Sequence, residues 1–246
     1  MALREQQLQD EEDEDPEVVD PGRAIHRLQR HLARITGIGP WVERRRREIL
    51  GTAVDLGSAE GLENLTIGRL AGEAGMSRSG LFAHFGSKQD LQLETVAAAQ
   101  ADFEREVVAR GRDAEPGVER LRVLFEAWLA YVEGISFRGG CFFARTTSEF
   151  GTREGAVRDL LAELALSWIR ELLVEARTAH RLGELRQDVD PEQIVFRLHA
   201  FTQEANWARE LFGDAKAFER ARAAAEETLR DATREGRERE REGAPS

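Results

Sequence analysis

The sequence predicts an all-α protein, and three observations carry that expectation. From Trp41 onward apolar residues recur at helical spacing almost throughout, and no stretch alternates for long enough to argue for a sheet. Glycine and proline break the periodicity at short intervals: Gly57, Gly61, Gly75, Gly86, Glu115-Pro-Gly117, Gly139-Gly140, Gly151, Gly183, Asp190-Pro191 and Gly213-Asp214. With 246 residues, 41% of them hydrophobic, the chain can bury a core in one or two domains. Helices are expected at about 42–58, 66–73, 77–84, 87–112, 117–133, 140–149, 154–182, 191–212 and 214–234.

The first forty residues are unlike the rest. Residues 1–20 carry Arg4 against nine carboxylates, a balance of -8, and Asp10–Glu17 reads DEEDEDPE, which has nothing to bury and is expected to be disordered. Residues 21–50 carry eight arginines against Glu43 and Glu48, a balance of +6. Arg23, Arg27, Arg30 and Arg34 would share one face of a helix, either as a solvated extension or as a basic arm that contacts DNA. The total charge of -11 speaks against a polyanion partner, but a basic block between an acidic tail and an acidic body permits local attachment to one.

Several classes are excluded. The longest apolar run, Ala127–Val132, is far short of the roughly 18 residues of a membrane span, and the acidic N-terminus lacks the order of a signal peptide, so a cytoplasmic protein is expected. A single cysteine, Cys141, and five scattered histidines offer no disulfide, structural zinc or other metal site, and no cofactor motif is present.

Between Leu65 and Leu91 three short helices are packed into fewer than thirty residues. Thr66 can cap the first, Ala74-Gly75-Met76 makes a tight turn, Ser77 can cap the second, and Ser87-Lys-Gln-Asp90 starts the third. Two short helices joined by a glycine-containing turn are the arrangement of a DNA-binding helix-turn-helix, whose second helix presents its N-terminal residues to the major groove. Ile67, Leu70, Ala71, Ala74, Leu81 and Phe85 fall where a small core between the helices is needed.

The run Thr66-Ile-Gly-Arg-Leu-Ala-Gly-Glu-Ala-Gly-Met-Ser77-Arg-Ser-Gly-Leu81-Phe-Ala-His84-Phe-Gly-Ser-Lys88-Gln-Asp-Leu91 resembles the tetracycline-repressor (TetR) family of transcriptional regulators. The likeness covers about fifty residues once Arg44–Gly61 is included, and Gly139-Gly-Cys-Phe-Phe143, Gly183-Glu-Leu and Asp190-Pro-Glu-Gln resemble one branch of the family's C-terminal domains. Phe82 stands where the family usually has tyrosine, so a phenolic hydroxyl that commonly reaches phosphate is missing, and Ala83 replaces a residue that is often large or basic. The resemblance and the residue chemistry together give a DNA-binding set of Arg44, Thr66, Ser77, Arg78, Ser79, Phe82, His84 and Lys88. Arg78 and Ser79, at the start of the second helix, are expected to read bases, and the others to position the backbone. Arg44–Arg47 could equally be a solvated helix face paired to Glu43 and Glu48, and His84 a core or capping residue.

The implied organisation is an extension over 1–40, a helix-turn-helix domain over 41–92, a helical ligand-binding and dimerisation domain over 93–235 and a charged tail over 236–246. Trp128, Tyr131, Phe142, Trp168, His199 and Asn206 are candidates to line a cavity for a small apolar or aromatic effector, although aromatics at helical spacing also simply pack. Broad apolar stripes on 154–182 and on 191–212 (Ile194, Leu198, Phe201, Ala205, Ala208 and Phe212) are offered as the seam of a homodimer. The expected function is a ligand-responsive homodimeric regulator, a repressor that binds a palindromic DNA operator and is released by its effector. The alternatives are a DNA-binding scaffold without effector, or a thiol enzyme using Cys141. For the enzyme a helix dipole would lower the thiol pKa, with His180 or His199 as base, yet no third orienting residue can be named.

Overall fold

Local hydrogen bonds set where the helices start and stop. The computed structural model describes residues 40–134 and 139–233. Its helices are α1 (Pro40–Glu60), α2 (Ile67–Ala74), α3 (Arg78–Phe85), α4 (Lys88–Phe103, prolonged by a π-helical turn at Glu104–Val108 and a last turn at Ala109–Gly111), α5 (Val118–Gly134), α6 (Phe142–Phe150), α7 (Ala156–Leu182), α8 (Pro191–Phe212) and α9 (Ala217–Ala232). Among the described residues there is no strand, only an isolated antiparallel bridge between Leu185 and Thr233. The all-α expectation holds. The largest shift of a helix end is at α9, expected from 214 and found from Ala217, because the Asp214 carboxylate accepts the Lys216 N–H (2.9 Å) in a turn before the helix. The extension over 1–39 and the tail from 234 lie outside the described residues.

Helices α1–α3 and the start of α4 enclose a small core of Ile49, Ala53, Leu56, Leu62, Leu65, Leu70, Leu81, Phe85 and Leu91, all buried. The rest is a helical bundle: α7 packs on α4, α5, α6 and α8, while α9 packs on α5 and α8. Its core includes Phe103, Leu121, Phe125, Trp128, Leu172, Leu198 and Phe218. Helix α4 belongs to both parts. Ala99, Phe103, Val107 and Gly111 are buried every four residues along it, a step that drifts round an α-helix of about 3.6 residues per turn. The wider π turn removes the drift and lets Gly111 meet Leu124, whose Cδ2 would lie 2.5 Å from a Cβ there.

The dimer stripe expected on α8 is corrected. Ile194, Leu198 and Ala205 are buried within the subunit, and Phe201 and Ala208 pack against the same core. They face inward because α8 is covered by α5, α7 and α9 together. The face left open carries Phe196, Trp207, Leu211 and Phe212, each at least half exposed. No helix among the described residues is long and apolar enough to cross a membrane.

Candidate nucleic-acid interface and cavity

The turn between α2 and α3 is built from the residues its conformation demands. Thr66 Oγ1 accepts the Arg69 N–H (3.1 Å) to start α2, and Gly75 closes it in the left-handed region (φ 62°). Ser77 Oγ then accepts the Gly80 N–H (3.1 Å) to start α3, and Ser87 Oγ the Asp90 N–H (3.0 Å) to start α4. Arg78, Ser79 and Phe82 lie on the exposed side of α3. With Thr66, Ile67, Gly68 and Arg69 they border one shallow hollow between α2 and α3. A Cβ on Gly68 would come 3.3 Å from Arg78 Nε, so the glycine leaves room for that guanidinium to lie across α2.

Charge in this head is divided between structure and surface. Arg69 is committed to Glu60 and Glu73, and its hydrogen bonds to them raise its pKa further. Arg78 has no carboxylate partner among the described residues. The block Arg44–Arg47 splits in a way that spacing could not reveal. Arg44 and Arg47 are exposed, and Arg45 pairs with Glu48 (3.3 Å). Arg46 turns inward: it donates to His84 O (3.0 Å), grips both carboxylate oxygens of Glu94 and stacks 5.0 Å above the Phe85 ring. Burial pushes the Glu94 carboxyl up, against the Arg46 charge. Burial, together with the Arg46 charge, pushes His84 down, which favours its neutral ring. Lys88 is ion-paired within the head. Its Nζ donates to Glu63 Oε1 (2.9 Å), and this bond holds the Glu63 carboxyl below the usual range. A phosphate would have to compete with a partner 25 residues away in sequence.

A cavity of about 310 Å³ lies within the bundle. Trp128, Tyr131, Trp168, His199 and Asn206 line it, joined by residues that sequence reasoning did not assign to it, among them Gln100 and Phe103 from α4 and Thr147 from α6. Phe142 is a correction: it is 1% exposed and faces α1, where its ring would lie 2.9 Å from a Cβ on Gly57. Its neighbour Phe143 lines the cavity instead. Adjacent helical residues point about 100° apart, and only the direction of α1 decides which of the two turns inward. The rings meet edge to face, Phe103 with Trp168 at 5.0 Å and Trp128 with Trp168 at 5.5 Å. The Trp168 indole N–H is enclosed without an acceptor. Burial pushes His199 down and Tyr131 up.

Cys141 also reaches the cavity, but burial pushes its thiol up, the reverse of the lowering expected from a helix dipole. The thiolate a nucleophile needs is thereby disfavoured. The preceding glycines are explained by packing. A Cβ on Gly139 would collide with Ser58 O at 1.9 Å, and Gly140 (φ 76°) leaves space for the Glu210 carboxylate, which accepts the Cys141 N–H (3.2 Å).

Helix α6 touches both regions. Phe143, Ala144 and Thr147 face the cavity. On its other side the Glu149 carboxylate accepts the N–H groups of Leu62 (2.8 Å) and Glu63 (3.1 Å), in the loop between α1 and α2. Gln92 of α4 donates to Leu62 O (2.9 Å), and Arg153 pairs with Glu63 (3.2 Å). The head is therefore tied to the cavity wall by α6 as well as by the continuous helix α4.

Residues 49–95 match the family model described as bacterial regulatory proteins, tetR family, and residues 117–225 match the tetracyclin repressor-like C-terminal domain. Among solved structures, a TetR transcriptional regulator from Chloroflexus aurantiacus is 19% identical with a TM-score of 0.67, over 76% of this chain and 94% of that one. A transcriptional regulator from Saccharomonospora viridis in complex with choline is 26% identical with a TM-score of 0.65, over 78% and 98%. The regulator AibR, solved with isovaleryl coenzyme A and operator DNA, is 23% identical with a TM-score of 0.61, over 77% and 98%. No curated protein matches the sequence. The two family models cover the head and most of the bundle, and with the geometry of α2 and α3 they show that this chain belongs to the TetR family of transcriptional regulators.

Proposed function

We propose that the protein is a homodimeric repressor that binds a palindromic DNA operator through its two α3 helices and releases it when a small effector enters the bundle cavity. The observation that carries this reading is the double engagement of α6, which supplies wall to the cavity and holds the α1–α2 loop through Glu149. An effector that displaces α6 would move the head without touching DNA, and a scaffold without effector would need neither the cavity nor the link. Arg78 and Ser79 read bases, while Arg44, Thr66, Ser77, His84 and Lys88 position the backbone, with Phe82 as an apolar contact on the exposed side of α3. The head ends near residue 92.

Dimerisation is supported by the open face of α8, where Phe196 is 68% and Leu211 62% exposed and the Trp207 and Phe212 rings meet edge to face at 4.8 Å. Large exposed apolar side chains gathered on one helix favour an interaction site, and a two-fold axis would pair this face with itself. Selection from random duplexes is the test. An enriched palindrome with half-sites about one helical turn apart, or slightly more, supports the reading. An enriched site without two-fold symmetry, or no enrichment, overturns it.

A further inference from the structure

The head offers little free positive charge to DNA. Residues 41–92 hold seven arginines and lysines against seven carboxylates. Arg45, Arg46, Arg69 and Lys88 are each ion-paired, with Glu48, Glu94, Glu60 and Glu63 respectively. At most Arg44, Arg47 and Arg78 lack a carboxylate partner among the described residues, and Arg78 is assigned to bases. Two heads would then bring at most Arg44 and Arg47 of each to phosphate, against the roughly six to ten contacts of a strongly salt-dependent DNA-binding protein.

The longest run of the chain without a carboxylate, residues 21–42, leads directly into the head and carries Arg23, Arg27, Arg30 and Arg34 with His26 and His31. It feeds α1, whose Arg46 donates to His84 O in the last turn of α3 and stacks on the Phe85 ring. Arg46 is six residues beyond the start of α1, about 9 Å along the helix. The chain therefore enters α1 close to the end of α3, and Arg34, six residues before Pro40, is tethered within about 20 Å of it. The nine carboxylates of residues 1–20 need not cancel this charge. Arg27, Arg30 and Arg34 follow Asp20 by seven to fourteen residues, a contour of roughly 23–46 Å against a Debye length of about 8 Å at physiological salt.

We propose that Arg23, Arg27, Arg30 and Arg34 form a second DNA contact, a basic arm that binds duplex phosphates beside the site read by α3. The arm supplies attraction without base preference. This extends the operator reading above and rests on it for the neighbouring site, not for attraction to a duplex.

The test compares three full-length proteins: wild type, a fourfold variant with Arg23→Gln, Arg27→Gln, Arg30→Gln and Arg34→Gln, and a second fourfold variant with Arg→Lys at the same positions. Each is titrated by fluorescence anisotropy against the selected operator and against an unrelated duplex over about 50–200 mM salt. In the Arg→Gln protein the plot of log affinity against log salt should lose about 0.9 of slope per contact, up to about 3.6 per chain, on both duplexes. Lysine, a point charge, should restore the slope, and selection should enrich the same sequence with all three proteins. If the Arg→Gln protein fails to fold, Arg27→Gln with Arg34→Gln should lose half as much slope. A loss smaller than about 0.9 per chain, a slope that lysine does not restore, or an altered sequence preference would overturn the proposal. Unchanged slopes together with sedimentation of the wild type, but not of the Arg→Gln protein, on phosphatidylserine vesicles would overturn it in favour of a membrane surface. The two duplexes keep this proposal separable from the operator reading. An enriched palindrome with equal slopes defeats the arm and leaves the operator reading standing, and a slope difference on the unrelated duplex without enrichment does the opposite.

Discussion

Replacing Glu149 by alanine isolates the link between α6 and the head. The carboxylate accepts two backbone N–H groups, those of Leu62 at 2.8 Å and of Glu63 at 3.1 Å. Hydrogen bonds to a charged acceptor contribute about 1.5–3 kcal/mol each, which sets a gross ceiling of about 3–6 kcal/mol. The two amides do not fare alike once the acceptor is gone. Leu62 is fully buried, so its N–H would be orphaned at close to the full cost, whereas Glu63 is partly exposed and water replaces much of its bond. A loss of about 3 kcal/mol follows, and Glu149→Gln, whose amide oxygen can still serve Leu62, should recover about half of it. Three of the four tryptophans, Trp128, Trp168 and Trp207, sit in the bundle, so tryptophan fluorescence would report mainly on that part of the chain. Native-state hydrogen exchange reads it directly: protection at Leu62 and through α2 and α3 should fall by about 3 kcal/mol while the centre of α7 changes little. Exchange free energies in α2 and α3 within about 0.5 kcal/mol of wild type would refute the claim that Glu149 holds the head.

The remaining predictions concern charge and assembly. Arg78→Ala should cost about 1–3 kcal/mol in specific DNA binding and relax one base position per half-site, and unchanged affinity and preference in a selection would remove Arg78 from readout. Glu94→Ala strands the inward Arg46 guanidinium and should destabilise by about 3–5 kcal/mol in urea titration, whereas Glu94→Leu with Arg46→Met should cost far less; equal losses would show that the pair is not acting as a unit. His199 titrates below its unfolded value because it is buried, so the unfolded chain takes up the proton first as pH falls through about 6.5. Stability present above that pH is therefore lost below it, and His199→Phe should flatten denaturation midpoints measured from pH 7.5 to 5.5; an unaltered slope would exclude this histidine as the cause. Trp207→Asp on the open face of α8 should convert a sedimenting dimer to monomer, and a dimer of unchanged affinity would place the interface elsewhere.

The helix-turn-helix was legible because its determinants are local. Thr66, Ser77 and Ser87 each bond a backbone N–H three residues on, and Gly75 supplies a left-handed turn, so the boundaries of α2, α3 and α4 follow from residues within one helical turn of them. The helical periodicity of the bundle is local in the same sense, which is why the all-α class and the order of helices could be read directly. What a helix faces is not local. Phe142 and Phe143 are equivalent in the sequence, and the packing of α1 on α6 sends one to the head and the other to the cavity. Arg44–Arg47 look alike until Glu94, 48 residues beyond Arg46, selects that one to turn inward. Lys88 looks free until Glu63 is folded beneath it, and the apolar stripe of α8 looks like a seam until α5, α7 and α9 cover it. Capping and periodicity depend on bonds a few residues long, whereas burial, charge pairing and the walls of a cavity depend on which distant segment arrives, and that is decided only when the core closes.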